Sequence, residues 1–174
     1  MKLNRAWIGG AFAMTLSLCA VHEANADDGA NPAHSCSLET RRHNAALGVT
    51  VFEQVLGQGR IAENEHIYHP EFVAHAGDRD VGRSEDRAAT EGWRAAIPDL
   101  RVTVVRLAAD CDLVAVHFEA SGTNTGEGGG LPATGRHARS QGITIFGVRD
   151  GKVAEEWTVF DQYGMLRQLG LLGK

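Results

Sequence analysis

Several kinds of chemistry are missing from this chain. It has no G-x-S-x-G nucleophile elbow, no C-x-x-C pair, no H-E-x-x-H helix and no strand-to-helix dinucleotide fingerprint. Nucleophilic acyl transfer, dithiol redox, zinc hydrolysis and nicotinamide chemistry therefore lack their usual residues. The glycine run Gly126-Glu127-Gly128-Gly129-Gly130 has no Lys-Ser/Thr ending and no helix pattern after it, so it is no phosphate cradle; it reads as a mobile hairpin loop at a pocket mouth. Excess positive charge is missing too. The net charge of −5 gives no footprint for nucleic acid. Beyond the N-terminal stretch there is no second long apolar run, so no membrane contact is expected after the leader is removed.

What remains is the composition of one globular domain: 174 residues, 43% hydrophobic and 22% charged. Lys2 and Arg5 form a basic start, Ala6 to Ala20 an apolar run, and Ala24-Asn25-Ala26 a small-residue cleavage site. Residues 1–26 thus read as a secretory signal peptide cut after Ala26, and the mature chain as secreted, or periplasmic in a Gram-negative source. Leu18 before Cys19 is too large for a lipobox. Residues 27–37 read as a flexible leader and 38–172 as the domain. Of three cysteines, Cys36 and Cys111 survive cleavage. In an oxidising compartment they are candidates for one disulfide; two free thiols are the alternative.

Helical spacing predicts a helix from about Leu38 to Leu56, capped by Ser37, with Phe52 on its apolar face; a short helix over 60–67; and a third helix from the Ser84 cap to Pro98, burying Trp93. Phe72 to His75 reads as a short extended piece and 77–83 as a charged loop. Then the period changes to two. Strands are expected over 100–107, 113–123, 139–148 and 152–160, the last pair joined by an Asp150-Gly151 turn, before a final helix over 162–172. Helices first and consecutive strands later give an α+β fold, a curved antiparallel sheet with N-terminal helices closing a pocket.

If the last strand alternates strictly, Val153, Glu155, Trp157 and Val159 share a face with Asp161. A carboxyl beside Trp157 and Val159 is poorly solvated, which suits acid/base work. Asp161 also stands where the final helix needs an N-cap, and the two roles are compatible. His75, ending a short apolar strand, is a candidate proton carrier or hydrogen-bond donor; a plain edge histidine is the alternative. The expected pocket lining is Trp157, Val159, Glu155, Phe52 and Trp93. His66 and His69, three residues apart, have no complementary ligands, so no metal is expected.

Four stretches resemble one family: Phe72-Val73-Ala74-His75; Gly82 to Val104 with Trp93 and Pro98-Asp99-Leu100; Ala120-Ser121-Gly122-Thr123 followed by Leu131-Pro132-Ala133-Thr134-Gly135; and the tail Asp150-Gly151-Lys152-Val153, Glu155-Glu156-Trp157, Asp161, Leu166 and Leu169-Gly170. Together they are similar to the SnoaL-like polyketide cyclases, also called ester cyclases, of the nuclear-transport-factor-like (NTF2-like, cystatin-like) α+β barrel superfamily. That resemblance implies a cone-shaped barrel around a deep apolar pocket and intramolecular aldol cyclisation without metal or cofactor. It assigns the acid/base role to Asp161 and a pocket-side position to His75. It also implies a homodimer paired through the outer face of the sheet. The expected ligand is a small apolar carbonyl compound, with isomerisation and non-catalytic periplasmic binding as alternative uses of the same pocket.

Overall fold

The computed structural model describes residues 35–172. The expected signal peptide, Cys19 and residues 27–34 of the expected leader lie outside them. Helix α1, Leu38–Val49, starts at Ser37, whose Oγ accepts the Thr40 N–H at 3.0 Å. It runs on without a break into wider π-type turns, Thr50–Gly57. Leu47, Val51, Phe52 and Val55 from this rod are buried. Gly48 brings it close to the sheet, since a Cβ there would stand 3.0 Å from the Val114 and Val116 side chains. The second helix expected over 60–67 is reduced to a 3-10 turn, Glu65–Ile67.

Strands β1 (Tyr68–Ala76) and β2 (Arg79–Gly82) form a hairpin where the sequence predicts a short extended piece and a charged loop. Gly77 supplies the positive φ for its two-residue turn. Helix α2 spans Arg83–Ala96, with Gly82 rather than Ser84 at its N-cap. Strands β3 (Arg101–Ala109), β4 (Leu113–Thr123), β5 (His137–Arg149) and β6 (Lys152–Phe160) follow. Helix α3, Gln162–Leu169, stops at left-handed Gly170.

The sheet order is β2-β1-β6-β5-β4-β3. It is curved and unclosed, and mixed rather than antiparallel: β1 runs parallel to β6, because the chain must pass through α2 and three strands before returning beside β1. Among the described residues no helix is long and apolar enough to cross a membrane.

Two further details position the site. The glycine-rich loop does not stand free. Gly126 N–H donates to Ala96 O at 3.1 Å, and buried Asn124 ties the loop to the end of α2 through Ala96 O and to Thr134. At the other end of the sheet, Cys36 and Cys111 form a disulfide, with Cα atoms 5.3 Å apart, that fastens the start of α1 to the β3–β4 turn. Asn44 Nδ2 donates to Asp110 O and Cys111 O at 2.8 and 2.9 Å in the same place. Asp110 stands near the two sulfurs, but disulfide sulfurs are not thiolate ligands, so this group offers no metal site.

Candidate functional site

Strand β6 decides which side chains face inward. Gly147 pairs with Glu155 and Val148 with Val153, so Ala154 is an extra residue on β6, a β-bulge. Val153 and Ala154 are consequently both buried, and the alternation flips after them. Glu156, Thr158 and Phe160 turn toward the helices. Glu155, Trp157 and Val159 turn to the outer face, where Trp157 is 39% and Val159 73% exposed. The strictly alternating strand is corrected by this one residue. The expected pocket residues Glu155, Trp157 and Val159 lie on the side away from the helices.

Two compartments lie on the concave side. One is an apolar cavity of about 100 Å³ lined by Leu56, Trp93, Ile97, Phe118, Phe160 and Met165. Trp93 meets Phe160 edge-on, with ring centroids 5.9 Å apart. Phe52 stands behind this wall, stacked on Phe118 at 4.4 Å, and supports the cavity rather than lining it. The other is an open compartment of about 430 Å³ between α2 and the β2-β1-β6 edge, bordered by Asp86, Glu156, Thr158 and Gln162. Phe160 borders both. An apolar space of about 150 Å³ takes one benzene, so a ligand of one ring or more extends beyond this cavity, toward Phe160 and the open compartment or toward Ser121 and Ser140.

The polar compartment is unevenly charged. The Arg83 guanidinium lies 3.6 Å over the Tyr68 ring. It donates to Glu65 through Nε and Nη2 at 3.0 and 2.9 Å, and to Asp86 through Nη1 at 2.7 Å. One half-buried cation thus serves two carboxylates, and Glu156 makes no ion pair with it. Glu156 accepts instead from Thr158 Oγ1 at 2.7 Å, and Thr158 is linked to Thr144 at 2.6 Å. Burial, then the neighbouring Asp86 charge, push the Glu156 carboxyl up to about 7. Burial also raises Asp86, against the pull of Arg83, and lifts the Tyr68 hydroxyl above its ordinary range.

The two expected catalytic residues are not brought together here. His75 is stacked on Trp157 at 4.5 Å on the outer face, where with Trp157 and Val159 it lines an open groove of about 700 Å³, and it also borders the compartment that holds Glu156. Its Nδ1 is 2.8 Å from Asp80 Oδ1, and its buried Nε2 is 3.9 Å from a Glu155 oxygen, too far for a hydrogen bond. Asp161 is exposed rather than desolvated. Its Oδ1 accepts the Gly164 N–H at 2.8 Å and caps α3. It borders an open groove with Arg101 and Glu119 that meets the apolar cavity at Ser121, Arg139 and Ser140. Asp161→Asn is therefore expected to leave stability nearly unchanged, whereas Asp161→Ala should cost about 1 kcal/mol; equal losses in urea denaturation would show that the carboxylate does more than cap.

Glu156, Asp86 and Thr158 were missed in the sequence. Glu155 and Glu156 are adjacent, so only one can face in, and the bulge chooses. Gly147, a glycine inside the facing strand, is the one local sign of it.

A curved α+β sheet whose helices cover an apolar cavity beside half-buried carboxyls has the form of a small-molecule pocket. The model of the SnoaL-like polyketide cyclases matches residues 46–169, and the chain belongs to that family. Among solved structures, TsrD from Streptomyces laurentii is 27% identical with a TM-score of 0.66, over 79% of this chain and all of that one. IdmH from Streptomyces antibioticus, assigned as a polyketide cyclase, is 28% identical with a TM-score of 0.63, over 74% and 99%. AclR from Streptomyces galilaeus, assigned as a hydroxylase, is 25% identical with a TM-score of 0.67, over 79% and 85%. No curated protein sequence matches. The assignments differ among similar folds, so the fold alone does not select the reaction.

Proposed function

We propose that this chain is an exported, cofactor-independent acid/base enzyme acting on a small apolar carbonyl compound, by intramolecular aldol-type cyclisation, isomerisation or a related proton transfer. The observation that carries the reading is the shared wall at Phe160, with an apolar cavity on one side and a compartment of hard-to-ionise carboxyls on the other. The apolar body of a substrate would fill the first and its carbonyl would reach the second. A carboxylate there removes the proton next to the carbonyl, and the carbon left with the electron pair attacks a second carbonyl of the same molecule. The proton then returns to the new alkoxide oxygen. Holding both reacting carbons in one pocket removes much of the entropic barrier.

Export rests on the N-terminal sequence, and the disulfide suits an oxidising compartment. Homodimerisation is supported by the outer face, where the cross-strand pairs Ile143–Val159 and Ile145–Trp157 leave four large apolar side chains exposed together.

Native mass spectrometry of the mature protein from its own source tests these points together. The expected result is a two-chain mass carrying a small carbonyl compound that the protein converts on incubation. A ligand released unchanged would make the chain a binding protein, and a one-chain mass would remove the dimer.

A further inference from the structure

We propose that Glu156, which borders the open compartment together with Asp86, is the group that takes and returns the substrate proton, and that Thr158 is its positioning residue. This assignment rests on the acid/base reading above. It departs from the family resemblance, which puts that role on Asp161.

Three observations carry it. First, the bulge at Ala154 aims Glu156 at the helices, into open space of about 430 Å³ that Phe160 lines on one side while it lines the apolar cavity on the other. A base there faces a molecule whose apolar part packs against Phe160. Second, the surrounding charges are already committed. From α2, Arg83 is held by Glu65 and Asp86, and Glu85 by Arg79 of β2. From β1, Tyr68 lies under Arg83, and His75 is bonded to Asp80 through Nδ1 and stacked on Trp157. The compartment therefore holds more carboxyls than free cations; Asp86 keeps Arg83 as its partner, and burial and then the Asp86 charge work against ionisation of Glu156. Third, the Thr144–Thr158–Glu156 chain fixes the carboxyl's direction while leaving it no strong partner. Asp161, by contrast, is exposed and spends an oxygen on the α3 cap. Burial holds the Glu156 proton into the neutral range, where a carboxyl both removes and returns protons.

The test uses 5-nitrobenzisoxazole, a flat bicyclic probe of buried carboxylate bases. The carboxylate takes the ring C–H proton, that electron pair completes a nitrile, and the N–O bond breaks to release a coloured phenolate. Rates are measured against pH for the full mature chain, Glu156→Gln, Thr158→Val and Asp161→Asn. Wild type is expected to exceed acetate at the same concentration, with an acid limb near neutrality. Glu156→Gln should lose about 10² or more of the rate. Thr158→Val should keep most of the maximal rate but move the limb to higher pH, because the lost hydrogen bond favours the ionised form. A merely structural threonine would lower the rate without moving the limb. Asp161→Asn should match wild type. Loss in Asp161→Asn with retention in Glu156→Gln would overturn the assignment and leave the acid/base reading standing. A wild-type rate no better than acetate would overturn both.

Discussion

Glu156→Gln should gain stability over the wild type as the pH rises. In the folded chain the Glu156 carboxyl ionises near 7; its ordinary value is 4.5. Between those values the folded state holds a proton that the unfolded state has released, so wild-type stability falls as pH climbs through the window. Below 4.5 both states are protonated and nothing is lost. Above 7 the full penalty applies, about 3 kcal/mol at 1.4 kcal/mol per pH unit. Glutamine has no such ionisation and its carbonyl can still accept from Thr158. The stability difference between variant and wild type should therefore widen by about 3 kcal/mol from pH 4.5 to pH 8, on the order of 10 °C in Tm. Thermal melts across that range check it, and a constant difference would show that Glu156 is ordinarily solvated. The same change should lower the rate of proton transfer by about 10² or more, an exchange of activity for stability.

The second large effect concerns Cys36 and Cys111. Their bond closes a loop with a sequence separation of 75. In the chain-entropy account a loop of that length stabilises by about 4 kcal/mol, acting on the unfolded chain. Cys36→Ser with Cys111→Ser should lower the unfolding free energy by about 2–5 kcal/mol. The native contacts at that corner should survive, because Asn44 holds the same turn through two hydrogen bonds. Urea titration of the double variant, and of wild type in reductant, should give matching losses. An unchanged midpoint in reductant would show that the bond contributes nothing under native conditions.

Much of the fold was legible because local patterns and packing agree in it. Ser37 caps α1 as its position suggests, the Asp150-Gly151 turn joins β5 to β6, and the four long strands follow their period-two runs. The family tail was equally readable, and the family model covers nearly the same stretch. What was not legible depends on contacts between distant segments. The parallel β1–β6 pairing comes from where the chain returns, not from either strand's own residues. The Gly77-Asp78 hairpin was hidden by its charged flanks.

The site suffered most from a single residue. Val153 does face the core, so strict alternation from it would carry Trp157 and Val159 inward too. One extra residue at Ala154 reverses everything after it. The more apolar face of β6 then becomes the outer surface, and the face with Glu156 and Thr158 turns toward the helices. Single-strand hydrophobicity misleads here because the outer face, in the reading proposed above, is itself an interface.

The most direct measurement is a crystal structure of the chain soaked with acetophenone, a single-ring aryl ketone. The account expects its ring between Trp93, Phe118 and Phe160 and its carbonyl oxygen toward Glu156 and Thr158. A ketone bound instead on the outer face, against Ile143, Trp157 and Val159 beside His75, would contradict it and return the site to the face that strict alternation selects.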